Sequence, residues 1–312
     1  MVTTHAPIAL FVYYRPEHTL RTLQALSRNS LASESRLIIF ADGPKPDAGD
    51  DELRRLLAVR KLIREKSWCG EVESVESDTN KGLADSIRGG IDRVLVEHDR
   101  VIVLEDDLET SPGFLSYMNS ALEVYKNENR VFQISGFMVK NRPWSSTTGF
   151  LRVSTSWGWA TWQRAWRYYR DDTDNLLIEV LRKDMSRFDL DGHSFHCDEL
   201  ERNVKGDLKT WAVRWYASLF IQDGLCLYPK KSLVRNLGFD GSGVNCHDDE
   251  TRFYQKLNLA SAISVRKQIV AENEQYLRAM QLHYDRLLQR WTRTRLRDRL
   301  INKIRSLGVV NS

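Results

Sequence analysis

Cysteine is scarce and scattered in this chain of 312 residues: Cys69, Cys197, Cys226 and Cys246 form no CxxC pair. That spacing argues against a disulfide scaffold and a structural zinc site, and leaves reduced, buried thiols as the expected state. No apolar run approaches the roughly 20 residues that a membrane-spanning helix needs. The stretch from Met1 to Pro7 lacks a charged region leading into a long apolar one, so no secretory signal is read. The expected location is the cytoplasm, with peripheral contact at the inner face of the membrane as the variant. No G-x-G-x-x-G follows the first apolar run, which counts against a nicotinamide-binding domain. The absence of G-x-x-x-x-G-K-[ST] counts against a phosphate-loop kinase or ATPase.

What is there is ordinary in bulk and uneven in detail. A composition of 42% hydrophobic and 28% charged residues suits a soluble globular chain with a substantial core. The formal charge of +4 conceals a basic tail: between Leu282 and Leu307 stand seven Arg and Lys303 against Asp285 and Asp298. Leu296, Leu300, Ile304 and Leu307 lie at helical spacing, whereas Leu287, Leu288 and Trp291 fall on another side, so the apolar stripe is imperfect. This basic helical extension, 256–312, is read as a solvated helix packed on the body or as a contact with anionic lipid, rather than as a nucleic-acid binder.

The first third of the chain alternates strands and helices. Ile8 to Tyr13 reads as a buried strand, broken by Arg15-Pro16-Glu17 before a helix through Leu20, Leu23 and Leu26. Leu37 to Phe40 reads as a second strand stopped by Ala41-Asp42-Gly43-Pro44, and Asp50 to Lys66 as a charged helix. Val72 to Val75, a helix after Asn80-Lys81-Gly82-Leu83, and Val101 to Leu104 complete a β-α-β-α-β-α-β run. Such a run implies an α/β fold with a mixed, mainly parallel sheet flanked by helices. Its ligand crevice then lies at the carboxyl ends of the strands.

That rule brings Tyr14 and Arg15, Asp42 and Gly43, and Glu105-Asp106-Asp107 to one edge of the sheet. Adjacent carboxylates at a strand end suit a hard divalent cation, which most often neutralises phosphates. A solvated acidic turn is the plainer reading of the triplet taken alone.

In order and spacing, Val12-Tyr13-Tyr14-Arg15-Pro16, Ala41-Asp42-Gly43, Asn80-Lys81-Gly82-Leu83-Ala84 and Val101 through Glu109 resemble the nucleotide-sugar domain of GT-A glycosyltransferases. The EDD form of the acidic motif resembles the β-1,2-N-acetylglucosaminyltransferase I group and its bacterial relatives. Trp157-Gly158-Trp159 and Asp240-Gly241-Ser242-Gly243 fit as well. The resemblance covers roughly residues 6 to 250. It implies a GT-A (Rossmann-like) domain over 1–255, with a nucleotide-binding half, 1–110, and an acceptor half, 111–255.

Carried over by position, the resemblance implies that Arg15 and Asp42 contact uridine, with Tyr14 beside them and Asn80 and Lys81 helping to hold the base. Asp106 would bond the ribose, Asp107 the Mn2+ or Mg2+ ion, and Glu105 sugar hydroxyls. An Asp carboxylate is an acceptor suited to a uracil N–H or a ribose hydroxyl, and a cation on Asp107 would stabilise the departing diphosphate. Structural alternatives are an Arg15 pair with Glu17 and a turn role for Asp42.

Four tryptophans, Trp157, Trp159, Trp162 and Trp166, fall within ten residues. Indoles commonly floor sugar sites, so Trp157-Gly158-Trp159 is expected to border the sugar, with Trp162 and Trp166 in the core. Leu237 through His247 is a glycine-rich loop suited to closing over a ligand, and His247 is a candidate phosphate contact or metal ligand.

An inverting transferase needs a base beside the acceptor hydroxyl. In the resembled family it is an Asp directly after a Trp; here Trp211 is followed by Ala212. Asp191 and Asp207, each beside a glycine in a loop, are the preferred substitutes, ahead of Asp189 and Asp198. The resulting expectation is a metal-dependent inverting glycosyltransferase moving a sugar, GlcNAc being one candidate, from a UDP-sugar to a glycan or glycolipid hydroxyl. A nucleotidyltransferase and a non-catalytic glycan-binding module are the rivals.

Overall fold

The computed structural model describes residues 5–140, 148–241 and 257–289. Its first seven main elements are those expected: β1 (Ile8–Val12), α1 (Pro16–Ser27), β2 (Arg36–Ala41), α2 (Asp50–Arg64), β3 (Glu71–Glu76), α3 (Leu83–Glu97) and β4 (Arg100–Glu105). There follow β5 (Leu108–Thr110), α4 (Phe114–Val124), β6 (Val131–Ser135), β7 (Thr148–Leu151), β8 (Trp159–Trp162) and α5 (Gln163–Trp166). Then come α6 (Thr173–Phe188), α7 (His196–Val204), α8 (Ala212–Ile221), β9 (Leu225–Pro229) and β10 (Val234–Asn236). A last helix, α9, is described over 274–289.

Eight strands form one mixed sheet in the order β3-β2-β1-β4-β8-β6-β9-β7, and β10 pairs with β5 in a small second sheet. β1 runs parallel to β2 and β4, β2 to β3, and β6 to β9, whereas β8 and β7 run against their neighbours. Six of the eight strands therefore point the same way. Burial of β1 throughout and of β4 from Val101 to Leu104 explains why these strands read as unbroken apolar runs: both faces of the sheet are covered.

α1 and α4 meet on one face, where Asn29 Oδ1 accepts from the Leu115 N–H at 3.0 Å and Trp162 reaches the Leu122 carbonyl. α3 and α8 cover the other, on which Trp159 stacks on Trp211 with ring centroids 5.3 Å apart and Trp166 donates to Asp92 of α3 at 2.7 Å. Trp162 and Trp166 are core residues, as expected.

The described part of the chain after residue 256 packs back on this body. Ala260 N–H bonds the Ser232 carbonyl and Asn273 N–H that of Phe150. Tyr276 and Met280 of α9 are buried, and Tyr276 lies against Gly149 of β7. No described helix is long and apolar enough to cross a membrane.

Candidate functional site

The direction of the strands sorts the candidates by edge. The carboxyl ends of β1, β2, β4 and β6 share an edge with the amino end of β8, because Val103 pairs with Trp159 and Ser135 also pairs with Trp159. Tyr14-Arg15, Asp42-Gly43, Glu105 to Asp107, and Trp157-Gly158 are thus brought to one side.

At its centre is Arg15, whose side chain is only 15% exposed. Its Nη2 pairs with Asp106 Oδ1 and lies 2.9 Å from Asp107 Oδ2. The alternative pairing with Glu17 is not what forms; the guanidinium bridges two acids from β4's end. Burial opposes the charge on Arg15, but Asp106 and Asp107 outweigh it and hold the proton more firmly than usual. Burial likewise raises Asp106, with Arg15 pulling back. Glu105 is pushed up to about 8, by burial first and then by Asp107 and Asp106.

Asp42 is saturated in a different way. Its Oδ1 accepts from the N–H groups of Gly43 and Lys81, both at 2.9 Å, and its Oδ2 from Gly82 N–H at 3.0 Å and Asn80 Nδ2 at 3.1 Å. The carboxylate staples the end of β2 to the loop that starts α3. Gly43 sits against the Thr79 backbone, where a Cβ has no room. Tyr13, edge-on to Tyr14 at 4.7 Å, donates to Glu52.

The segment Asn236–Gly238 closes the site from the side of β10. Leu237 N–H donates to the Asp107 carbonyl at 2.8 Å and Gly238 N–H to Asn236 Oδ1 at 2.7 Å. A Cβ at Gly238 would collide with Asp107 Oδ2, so glycine here keeps that oxygen in place. Phe239 continues to Trp157, ring centroids 5.4 Å apart, and Asp240 Oδ2 lies 3.1 Å from His18 Nε2. His247 lies outside the described residues, as do most arginines of the basic tail.

Two expected site residues leave the set. Trp159 has no exposed surface; its indole faces Trp166, Trp211 and Trp215 in the core, and only half-buried Trp157 remains to border a sugar. Asp191 is at the wrong edge. Its Oδ1 is 2.8 Å from Arg152 Nη2, and Arg152 follows β7, whose carboxyl end pairs with the start of β9. Asp207, by contrast, is exposed in the loop between α7 and α8. Two residues on, Lys209 Nζ reaches Asp85 Oδ2 at 2.6 Å, in the first turn of α3. That contact brings the loop to the edge of the sheet that carries the acids.

Sequence reasoning passed over Glu199, Asn236 and His18. Glu199 is partly buried on α7, its Oε1 accepting from Thr210 Oγ1 at 3.1 Å. Burial raises its proton affinity from the ordinary value. In the sequence it is one acid among several in a charged helix, and nothing there marks it. Asn236 stands two residues before a glycine of a loop already singled out, which is a usable signal.

Three acids near one guanidinium leave negative charge uncompensated, which adds to burial in raising Glu105. An anionic diphosphate enters such a site only with further positive charge. Among the described residues no cluster of three His, Cys, Asp or Glu has metal-site form. The donors present fit a cation held by one or two carboxylates together with phosphate oxygens, the usual arrangement for Mg2+ beside a nucleotide.

No family model matches the chain, and no curated protein sequence does. Among solved structures it is similar to S. aureus TarS at 12% identity and TM-score 0.41, over 73% of this chain and 59% of that one. The chain thus spans about three fifths of the TarS chain. A mannosyltransferase from Pyrobaculum calidifontis, in complex with GDP-Man and Mn2+, has 10% identity and TM-score 0.37 over 71% of this chain and 70% of that one. An active-site mutant of LgtC has 11% identity and TM-score 0.39 over 90% and 95%.

Proposed function

We propose that the protein is a metal-dependent, inverting glycosyltransferase of the GT-A kind that moves a sugar from a UDP-sugar to a hydroxyl of a glycan or glycolipid. GlcNAc is the first donor sugar to try. The observation that carries this reading is the convergence of Arg15, the Asp42-held loop and Glu105-Asp106-Asp107 on one edge of a mainly parallel sheet. That edge is where nucleotides bind in open α/β sheets.

In this reading Asp107, backed by Asp106, would hold Mn2+ or Mg2+, and Arg15 orients both carboxylates. The cation would supply charge that stabilises the departing diphosphate. Asn80, Lys81 and Tyr14 flank the base, Asp42 holding the first two in position. Asp106 faces the ribose and Glu105 the sugar, and Trp157 offers an aromatic face to its C–H groups. A hydroxyl of the acceptor attacks from the side opposite the diphosphate, so configuration inverts in one displacement.

Manganese-supported release of UDP from a panel of UDP-sugars tests the reading, with Asp107→Ala as control. Turnover by the parent and its loss in the variant are expected. Tight sugar binding without turnover for any donor favours a glycan-binding module, the rival that Ala212 keeps in view.

A further inference from the structure

We propose that Glu199 is the base that accepts the proton of the acceptor hydroxyl, an inference that rests on the transferase reading above. Ala212 is the first residue of α8, and with a methyl group there the helix start offers no carboxylate. One is delivered beside it from α7. Glu199 Oε1 lies 3.1 Å from Thr210 Oγ1, two residues before Ala212.

Thr210 is fixed between two anchors, one at the edge of the crevice and one in the core. On one side Lys209 reaches Asp85 at 2.6 Å, and α3 begins just after Gly82, whose N–H is held by Asp42. On the other, Trp211 stacks on Trp159 at 5.3 Å, and Trp159 pairs with Val103, two residues before Glu105. Glu199 is therefore tied, through Thr210, to a loop held on one side at the start of α3 and on the other to the core beside the end of β4.

Its environment suits a base. One oxygen is held by the Thr210 hydroxyl, which orients the group, and the side chain is partly but not wholly covered. Burial raises its proton affinity and Asp198 adds to this, while Thr210 and Arg202 pull it down. A carboxylate whose proton affinity is raised removes a hydroxyl proton more readily than a fully solvated one. Asp207 is exposed, and Asp191 lies at the far edge.

The step balances. As the acceptor oxygen forms its bond to the anomeric carbon, its proton passes to Glu199. The bond from that carbon to the β-phosphate oxygen breaks, and its electron pair leaves on UDP. The products are the glycoside, UDP and protonated Glu199, which returns its proton to water.

The test uses the full chain, UDP-GlcNAc and the other common UDP-sugars with Mn2+, and water as the acceptor. UDP release is compared in the parent, Glu199→Gln and Asp207→Asn. Gln keeps an oxygen for Thr210, so a purely structural Glu199 leaves kcat unchanged in this variant. The expected result is a kcat lower by about 100-fold or more in Glu199→Gln, with donor KM and thermal midpoint unchanged and Asp207→Asn near the parent. Parental kcat in Glu199→Gln, or a loss confined to Asp207→Asn, overturns the assignment while leaving the transferase reading intact. A parent that releases no UDP from any donor removes the transferase reading, and the base with it.

Discussion

Arg15 Nη2 lies 2.9 Å from Asp107 Oδ2, and the same nitrogen binds Asp106, so one guanidinium from the turn after β1 fixes two carboxylates from the turn after β4. Removing one partner of such a covered pair leaves charge without compensation, at a cost of about 3–5 kcal/mol. Arg15→Gln is expected to lower the thermal midpoint by that equivalent. In the proposed reading a cation shares these acids with the guanidinium, so Mn2+ should raise the midpoint of the variant more than that of the parent. Equal Mn2+ shifts in a thermal-denaturation series contradict the shared-carboxylate view.

Gly238 keeps Asp107 Oδ2 where it is by having no side chain. Gly238→Ala is expected to displace that carboxylate and weaken Mn2+ affinity by about 10–100-fold, the range for neighbours that orient metal ligands. The fold should survive, since the collision is confined to one side chain. Titration of Mn2+ followed by UDP release checks this, and unchanged affinity contradicts it.

The strands, the helices between them and the shared edge were legible because a parallel sheet with both faces covered writes itself as apolar runs separated by helical periods. The engagement of side chains at that edge was not. Arg15 and Asp42 were read as groups open to a nucleotide, yet one is tied to Asp106 and Asp107 and the other to four N–H donors. Hydrogen-bond saturation depends on loops far apart in sequence, which no local pattern encodes. The difference between the loop acids was hidden for the same reason. Asp191 and Asp207 look alike beside their glycines, and only the antiparallel run of β7 separates them.

Asp191 should accordingly be silent in catalysis. Its partners are Arg152 and Gln281 Nε2, the latter at 3.0 Å. Its backbone φ of +61° is one that Asn tolerates. Asp191→Asn is expected to keep kcat for UDP release and to cost about 1 kcal/mol of stability in a denaturant melt. A large fall in kcat with unchanged stability contradicts its placement at the far edge.

Acid should loosen the docking of α9. His196 contacts Ser194 Oγ at 2.7 Å and Tyr284 Oη at 3.1 Å. Burial lowers its pKa from 6.5 to about 4; His283 is lowered to about 4 by burial and then by Arg286. The unfolded chain takes up these protons below pH 6.5, the folded one only near 4. Stability is therefore fully present above pH 6.5 and falls as pH drops to 4, by about 3 kcal/mol for each histidine at 1.4 kcal/mol per pH unit. Thermal midpoints measured across that window should decline, and His196→Gln should flatten part of the slope. A flat profile contradicts the burial of neutral imidazoles.

The central claim, that the acids at the end of β4 hold a cation for a nucleoside diphosphate, meets its most direct test in calorimetric titration of UDP with Mn2+ and with EDTA, on the parent and on Asp107→Ala. The account predicts UDP binding by the parent that requires Mn2+ and is lost in Asp107→Ala. UDP binding that ignores Mn2+, or that survives intact in Asp107→Ala, contradicts it.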